Sequence, residues 1–191
     1  MVNFIKETHQ YTVDGIIVPS VSTILKEVLF QDKYKEVPKF VLERAAAFGT
    51  AIHDAIENDD TLLLDEVQIQ VFENWKRLQQ EKKIEPIEQE QIVHFEKEYA
   101  GTFDMIANIN GERCLVDIKT TYNLDIEYLS WQLSMYALAY GHTGKLYAVW
   151  LPKRKDAELI EIPGKAYNEI HELLEAYNAL HKDTDDIHSE W

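Results

Sequence analysis

Three charged side chains interrupt a stretch of the sequence that is otherwise apolar. Asp104 precedes Asn110-Gly111, a dipeptide typical of two-residue β-hairpin turns, and Asp117 and Lys119 follow it. The predicted hairpin register sets Asp104 opposite Asp117. Asp117 and Lys119 point to the same face, because residues two apart on a strand share a face. Two carboxylates and an ammonium cost free energy in a buried sheet unless a metal ion or a substrate binds them.

These side chains suit the hydrolysis of a phosphodiester bond. That reaction needs a positioned water and neutralised charge at the phosphate, and hard divalent cations held by carboxylates supply much of both. Asp104 and Asp117 are candidate ligands for Mg²⁺ or Mn²⁺, with the Ile118 carbonyl as a further oxygen. Lys119 is placed to stabilise the developing charge or to orient the attacking water. The competing interpretation from the residues alone is a structural ion pair within the sheet.

Hydrophobic periodicity predicts the elements that position the hairpin. The predicted elements are an N-terminal hairpin over 1–18, a short helix after Ser20, helices over 40–58 and 62–83, a strand from 87, the hairpin at 101–119, a helix over 126–140, strands within 145–151 and 158–162, a helix over 167–180, and a frayed acidic tail from Asp183. This order indicates an α/β fold with a central mixed sheet flanked by helices. The basic segment Lys153-Arg154-Lys155 is interpreted as a solvated turn between the last two strands.

The composition is that of a folded domain. The chain has 191 residues, 46% of them hydrophobic, which favours a single domain over 1–191 with a substantial core. No apolar run approaches the roughly 20 residues of a membrane span, and the N-terminal segment has no apolar signal core, so we expect neither membrane contact nor secretion. The lone cysteine, Cys114, excludes a disulfide or a four-cysteine metal site within one chain, and favours the cytoplasm.

The net charge of −15 argues against a general polyanion binder, because phosphate contacts draw on positive surface. A nucleic-acid enzyme with this charge needs a local basic groove or a divalent metal that carries positive charge.

Two segments of the hairpin resemble the core of the PD-(D/E)xK nuclease superfamily. They are Gly101-Thr102-Phe103-Asp104 and Asp117-Ile118-Lys119-Thr120. Upstream, residues 48–57 resemble the helix that supplies a metal-associated histidine in RecB-type nucleases, and the matching position here is His53. The prediction requires Asp104 and Asp117 to converge within metal-bridging reach of His53.

Two more features match the RecB-type and phage exonuclease branch. Gln132 and Tyr136 resemble its Gln-x-x-x-Tyr motif, and their spacing of four puts them on one helix face. Glu90 lies where phage-type exonucleases of this branch carry an acid, although neighbouring glutamates compete for that place. The resemblance covers roughly residues 45–140, and the cysteines of the cluster-bearing members are missing.

The resemblance implies a restriction-endonuclease-like core and a metal-dependent deoxyribonuclease. An exonuclease in phage or prophage DNA recombination or processing is favoured. The implied roles are metal binding by His53, Glu90, Asp104, Asp117 and the Ile118 carbonyl, catalysis by Asp104, Asp117 and Lys119, and DNA binding by Gln132 and Tyr136. The implied cofactor is Mg²⁺ or Mn²⁺.

Alternatives of other classes stay open at this point. The chain could be a non-catalytic DNA- or protein-binding module on a nuclease-like fold. It could also need a recombination partner protein, or a ring of its own copies, to gather positive surface for DNA. His53 and Glu57 are four residues apart and could form a separate metal pair, but no second histidine nearby completes such a motif.

Overall fold

Helices and strands follow one another along the chain in nearly the order that the sequence predicts. The computed structural model describes residues 1–6, 8 and 10–185. The elements are β1 (Val2–Ile5), β2 (Gln10–Val13), β3 (Ile16–Val18), α1 (Val21–Val28), α2 (Lys39–Asn58), α3 (Glu66–Lys82), β4 (Ile84–Phe95), β5 (Tyr99–Ile109), β6 (Glu112–Lys119), α4 (Ile126–Tyr140), β7 (Leu146–Trp150), β8 (Glu158–Ile162) and α5 (Tyr167–Asp185). The acidic tail is thus helical up to Asp185, and the rest of it lies outside the described residues.

A five-stranded mixed sheet in the order β4-β5-β6-β7-β8 forms the centre of the protein. β6 and β7 run parallel, whereas the other neighbouring strands are antiparallel. The parallel pair requires a crossover, which α4 provides. A separate antiparallel sheet, β1-β2-β3, contains the N-terminal hairpin that the sequence predicts around Asp14-Gly15.

The β5–β6 hairpin has the predicted turn and register. Asn110 and Gly111 both adopt positive φ, 53° and 90°, which suits a two-residue hairpin turn. Ile109 pairs with Glu112, and the ladder continues to Met105 opposite Val116. The following residues on the two strands are Asp104 and Asp117.

Helices cover both faces of the central sheet, as the fold class predicts. Alternate residues of β5 point to opposite faces, so Ile106 packs with α1, α4 and α5, whereas Met105 packs with α2 and α3. This architecture confirms the predicted α/β class and is consistent with a restriction-endonuclease-like core. Within the described residues, no helix is both long and apolar enough to cross a membrane.

Two predicted boundaries move by a few residues. α3 begins at Glu66 instead of 62 because Asp65 caps it, in a reciprocal capping box with Gln68. β4 begins at Ile84, before Pro86, because Lys83 in the left-handed region ends the helix. Pro86 is tolerated because β4 is an edge strand whose register with β5 shifts between Pro86 and Glu88.

Candidate active site

Asp104 is fixed by the backbone of the neighbouring strand. The Ile118 N–H donates to Asp104 Oδ2 at 2.5 Å, just beyond the last pair of the β5–β6 ladder. A side-chain hydrogen bond therefore continues where the backbone ladder stops. Asp104 Oδ1 faces away from this bond, toward α2.

His53 meets this carboxylate from α2. Its Nδ1 lies 3.4 Å from Asp104 Oδ1, and its Nε2 lies 3.1 Å from the Ile118 carbonyl oxygen. Gly49, one turn earlier, faces Thr120, and a Cβ there would lie 3.4 Å from Thr120 Oγ1, which is an ordinary contact distance. His53 therefore reaches the hairpin at Asp104, as the prediction requires, and its ring also contacts the Ile118 carbonyl oxygen.

Glu90 joins the same group through an irregularity of β4. The ladder pairs Gln89 with Met105 and Gln91 with Phe103, but it omits the intervening position, where Glu90 faces Asp104. Glu90 has φ 48°, in the left-handed region that costs free energy for a residue with a side chain. Single ligand atoms of His53, Glu90 and Asp104 lie within 4.8 Å of one another.

Three of the four competing glutamates of this region have side-chain partners elsewhere. Glu88 accepts from Arg113 at 2.5 Å and from Tyr140 at 2.7 Å. Glu85 accepts from Asn108 at 3.2 Å. Glu98 accepts from Asn178 at 3.1 Å. The geometry therefore selects Glu90 as the acid of β4 that shares a group with His53.

Buried Asp117 and partly buried Lys119 form an ion pair beside this group. Asp117 is only 2% exposed, and its Oδ2 lies 2.6 Å from Lys119 Nζ. The two side chains share a face of β6, as the sequence predicts. Among the described residues, the cluster with metal-ligating spacing contains His53, Glu90 and Asp104, whereas Asp117 is held by Lys119.

Charge coupling shifts the pKa values of the acid–histidine pair in opposite directions. Burial alone would lower the pKa of His53, but the adjacent Asp104 carboxylate raises it to about 9. Burial alone would raise the pKa of Asp104, but His53, Lys119 and the Ile118 N–H together hold it below its ordinary value. In the metal-free protein these shifts favour a protonated His53 beside an ionised Asp104 at neutral pH.

The other two acids have raised pKa values. Desolvation, assisted by the Asp104 carboxylate, raises the pKa of Glu90 to about 7. Burial raises the pKa of Asp117 to about 6, although the ammonium of Lys119 opposes the shift. Asp117 in turn raises the pKa of Lys119, despite burial. Carboxylates crowded in this way favour the arrival of a further cation.

Gln132 and Tyr136 lie together on α4, as their spacing predicts. Gln132 Nε2 donates to the Tyr136 hydroxyl at 3.3 Å, and both side chains are buried. Gln132 Oε1 has no hydrogen-bond partner among the described residues. The Tyr136 ring occupies the space above Gly101, where a Cβ would come within 2.5 Å of Tyr136 Cε1. The glycine of the Gly-Thr-Phe-Asp segment thus has a packing role.

A cleft of about 800 Å³ opens beside Lys119 and Gln132. Its lining includes Lys33 and Tyr34, from the segment between α1 and α2, and no sequence pattern predicts that they lie here. Lys33 Nζ lies 3.7 Å from the centre of the Tyr128 ring and 2.8 Å from Asp125 Oδ2. These contacts join distant parts of the chain, so no local pattern could have predicted them.

Comparison with known proteins identifies the family. The family model of the PD-(D/E)xK nuclease superfamily matches residues 28–190. No curated protein matches the chain significantly. A solved structure described as the crystal structure of SSO0001 is similar at a TM-score of 0.49 and 18% identity, and the match covers 85% of this chain and 75% of that one. The family match spans most of the chain and includes every residue of the site described above, so the protein belongs to the PD-(D/E)xK nuclease superfamily.

Proposed function

We propose that the protein is a metal-dependent deoxyribonuclease that hydrolyses phosphodiester bonds. The observation that carries the proposal is the cluster of His53, Glu90 and Asp104 directly beside the Asp117–Lys119 ion pair. A structural ion pair alone would not need three further ionisable groups with perturbed pKa values and a strained residue at Glu90.

The donor set suits a hard divalent cation. Carboxylate oxygens are ligands that Mg²⁺ and Mn²⁺ accept, and an imidazole favours Mn²⁺ of the two. His53, Glu90 and Asp104 would hold the ion, with Asp117 and the Ile118 carbonyl at the same end of β6 as the further predicted ligands. When bound, the ion would supply charge neutralisation at the phosphate and lower the pKa of a water.

The remaining residues act on the substrate. The ammonium of Lys119, anchored by Asp117, stabilises negative charge that develops on the phosphate and orients the attacking water. Gln132 lines the cleft, and its Oε1 has no hydrogen-bond partner among the described residues, so Gln132 and the adjacent Tyr136 are the proposed residues that orient the scissile strand. The cleft is large enough to admit a nucleotide of that strand.

The resemblance of residues 48–57 and 132–136 to RecB-type nucleases supports an exonuclease that acts in phage DNA recombination or processing. Digestion of end-labelled linear DNA and of circular DNA with Mg²⁺ or Mn²⁺ tests this. Products released only from linear ends support an exonuclease, whereas nicked circles support an endonuclease. No cleavage of either substrate with either metal would refute the proposed activity.

Calorimetry separates the nuclease from a non-catalytic module on the same fold. A nuclease takes up Mn²⁺ at His53, Glu90 and Asp104, whereas a binding module has no need of it. A ring of copies, or a recombination partner protein, would help a chain of net charge −15 to hold duplex DNA, and light scattering reports that assembly. We place this activity in the cytoplasm, where the buried thiol of Cys114 stays reduced.

A further inference from the structure

A basic turn, Lys153-Arg154-Lys155, follows β7. It lies at the end of the sheet's strands where the candidate site is found. β6 and β7 are parallel and in register, with Lys119 opposite Trp150, so their carboxyl ends meet there. The Leu151 N–H donates to the Lys119 carbonyl at 2.7 Å, and Trp150 Nε1 donates to the Thr121 carbonyl at 2.8 Å. The basic turn is therefore anchored to the strand that carries Lys119.

The two lysines of the basic turn lie against aromatic rings. Lys153 Nζ lies 3.7 Å from the centre of the Phe48 ring on α2. Lys155 Nζ lies 5.0 Å from the Trp150 ring and 5.4 Å from the Tyr122 ring. Such contacts hold an ammonium in place without neutralising its charge.

No carboxylate of the described residues lies within ion-pair distance of these three cations. Asp156, the next residue along the chain, pairs with Arg77 instead, at 2.9 Å. In a protein of net charge −15, three adjacent cations that keep their charge form a local positive surface. The sequence alone predicted a merely solvated turn here.

The basic turn also lines a cavity of about 350 Å³. The other side chains around it include Thr120, Thr121 and Tyr122, and Tyr122 is 74% exposed. Thr121 lines the larger cleft beside Lys119 as well, so the two cavities meet at this residue. A strand lying across the end of β6 would therefore contact Lys119 and the basic turn in succession.

We propose that the basic turn and Tyr122 form a subsite for the nucleic-acid strand next to the bond that is cleaved. Backbone phosphates bind the cations of the turn, and one base stacks on the exposed ring of Tyr122. Cations combined with an exposed aromatic ring are the composition that binds single strands with little sequence preference. The inference rests on the proposed nuclease function, which supplies the strand.

Salt-dependent binding tests the phosphate contacts. The triple variant Lys153→Gln/Arg154→Gln/Lys155→Gln and the wild type are titrated into a fluorescent single-stranded DNA oligonucleotide in EDTA, so that no cleavage interferes. Each lost phosphate contact makes the slope of log affinity against log salt shallower by about 0.7. We expect a slope shallower by about 1.4–2 and an affinity about 10–100-fold weaker at low salt. An unchanged slope would overturn the proposal.

The stacking contact has its own variants. Tyr122→Ala should weaken binding by about 5–150-fold without changing the slope, because stacking of one base contributes roughly 1–3 kcal/mol and releases no counterion. Tyr122→Phe should bind like the wild type. Equal affinities of Tyr122→Ala and the wild type would overturn the role of the ring.

A matched control removes three exposed cations elsewhere. Lys26→Gln/Lys82→Gln/Lys97→Gln changes the net charge by the same amount on α1, α3 and the β4–β5 turn, and it should keep the wild-type slope. A slope as shallow as that of the basic-turn variant would show that net charge alone is responsible, and would refute the subsite. A wild type that cleaves DNA while the basic-turn variant keeps its slope refutes only the subsite. A wild type that binds through the turn without cleaving refutes only the nuclease.

Discussion

Glu90 faces Asp104 across β4 and β5 at a step where the regular ladder is interrupted. The backbone of Glu90 adopts φ 48° there, and the Asp104 carboxylate helps to raise the pKa of Glu90 to about 7. Two acids held against one another on a strained backbone destabilise the metal-free protein. A bound cation would relieve the repulsion, so stability and metal affinity should respond to Glu90 in opposite directions.

Glu90→Gln should therefore stabilise the metal-free protein and weaken metal binding. At about pH 8 the substitution removes a carboxylate that repels Asp104, which we expect to raise the free energy of unfolding by about 0.5–1 kcal/mol. Loss of a ligand should lower the Mn²⁺ affinity roughly 100-fold. Urea denaturation in EDTA and Mn²⁺ calorimetry measure the two effects.

Glu88→Gln is the matched control on the same strand. Its carboxylate accepts from Arg113 and Tyr140 and lies outside the cluster, so the substitution should reduce stability and leave Mn²⁺ affinity unchanged. If Glu88→Gln lowered Mn²⁺ affinity as much as Glu90→Gln, the assignment of the metal ligand on β4 would be wrong.

The raised pKa of His53 makes stability depend on pH. Its value is about 9 in the folded protein against an ordinary 6.5, so the folded state holds the proton more tightly. The stabilisation is complete below pH 6.5 and is lost as the pH rises through about 9. The raised pKa values of Glu90 and Asp117 also lower the stability as the pH rises, but over a lower range. The loss extends from the ordinary pKa of a carboxyl group up to about 7 for Glu90 and about 6 for Asp117. The metal-free protein should therefore become less stable throughout this rise in pH.

Denaturation in EDTA across this range measures the decline, and His53→Gln should flatten its upper part. His171→Gln is the control, because that histidine is an exposed partner of Glu175 on α5. Metal affinity should change in the opposite direction and rise with pH, since a ligating imidazole must lose its proton. A metal affinity independent of pH would argue against His53 as a ligand.

Asp117 and Lys119 should both be necessary for hydrolysis. Asp117→Asn or Lys119→Gln removes half of an ion pair with an N···O distance of 2.6 Å, and we expect the rate of Mn²⁺-dependent DNA cleavage to fall by about 10³-fold or more. Steady-state cleavage of a labelled oligonucleotide gives the rate. Lys145→Gln serves as a control, because Lys145 pairs with Glu112 and Glu161 away from the site.

Each single variant also leaves one charge without its partner, buried for Asp117 and partly buried for Lys119, which destabilises the fold. The double variant Asp117→Asn/Lys119→Gln leaves no such charge and should recover stability, but not cleavage. Cleavage at the wild-type rate by any of these three variants would refute the proposed mechanism.

The parts of the site that follow local rules could be predicted from the sequence. Asn110-Gly111 requires positive φ, which sets the hairpin register and the places of Asp104 and Asp117. Gln132 and Tyr136 share a face because four residues make about one helical turn. In contrast, the choice of Glu90 among its neighbours depends on a left-handed residue within β4, and no residue preference marks a glutamate for that conformation. The aromatic contacts of Lys33 and of the basic turn depend on packing between distant segments.

The two glycines beside the site should respond differently to alanine. A Cβ at Gly101 would come within 2.5 Å of Tyr136 Cε1, so the buried ring would have to shift. Gly101→Ala should therefore destabilise the protein by about 1–3 kcal/mol and impair cleavage by displacing Tyr136. A Cβ at Gly49 would meet only Thr120 Oγ1 at 3.4 Å, and alanine is the better helix former, so Gly49→Ala should be neutral or stabilise by up to about 1 kcal/mol. Thermal unfolding and cleavage assays of both variants make the comparison. Adding Tyr136→Leu to Gly101→Ala should restore stability but not cleavage, and recovery of full cleavage would show that Tyr136 has only a packing role.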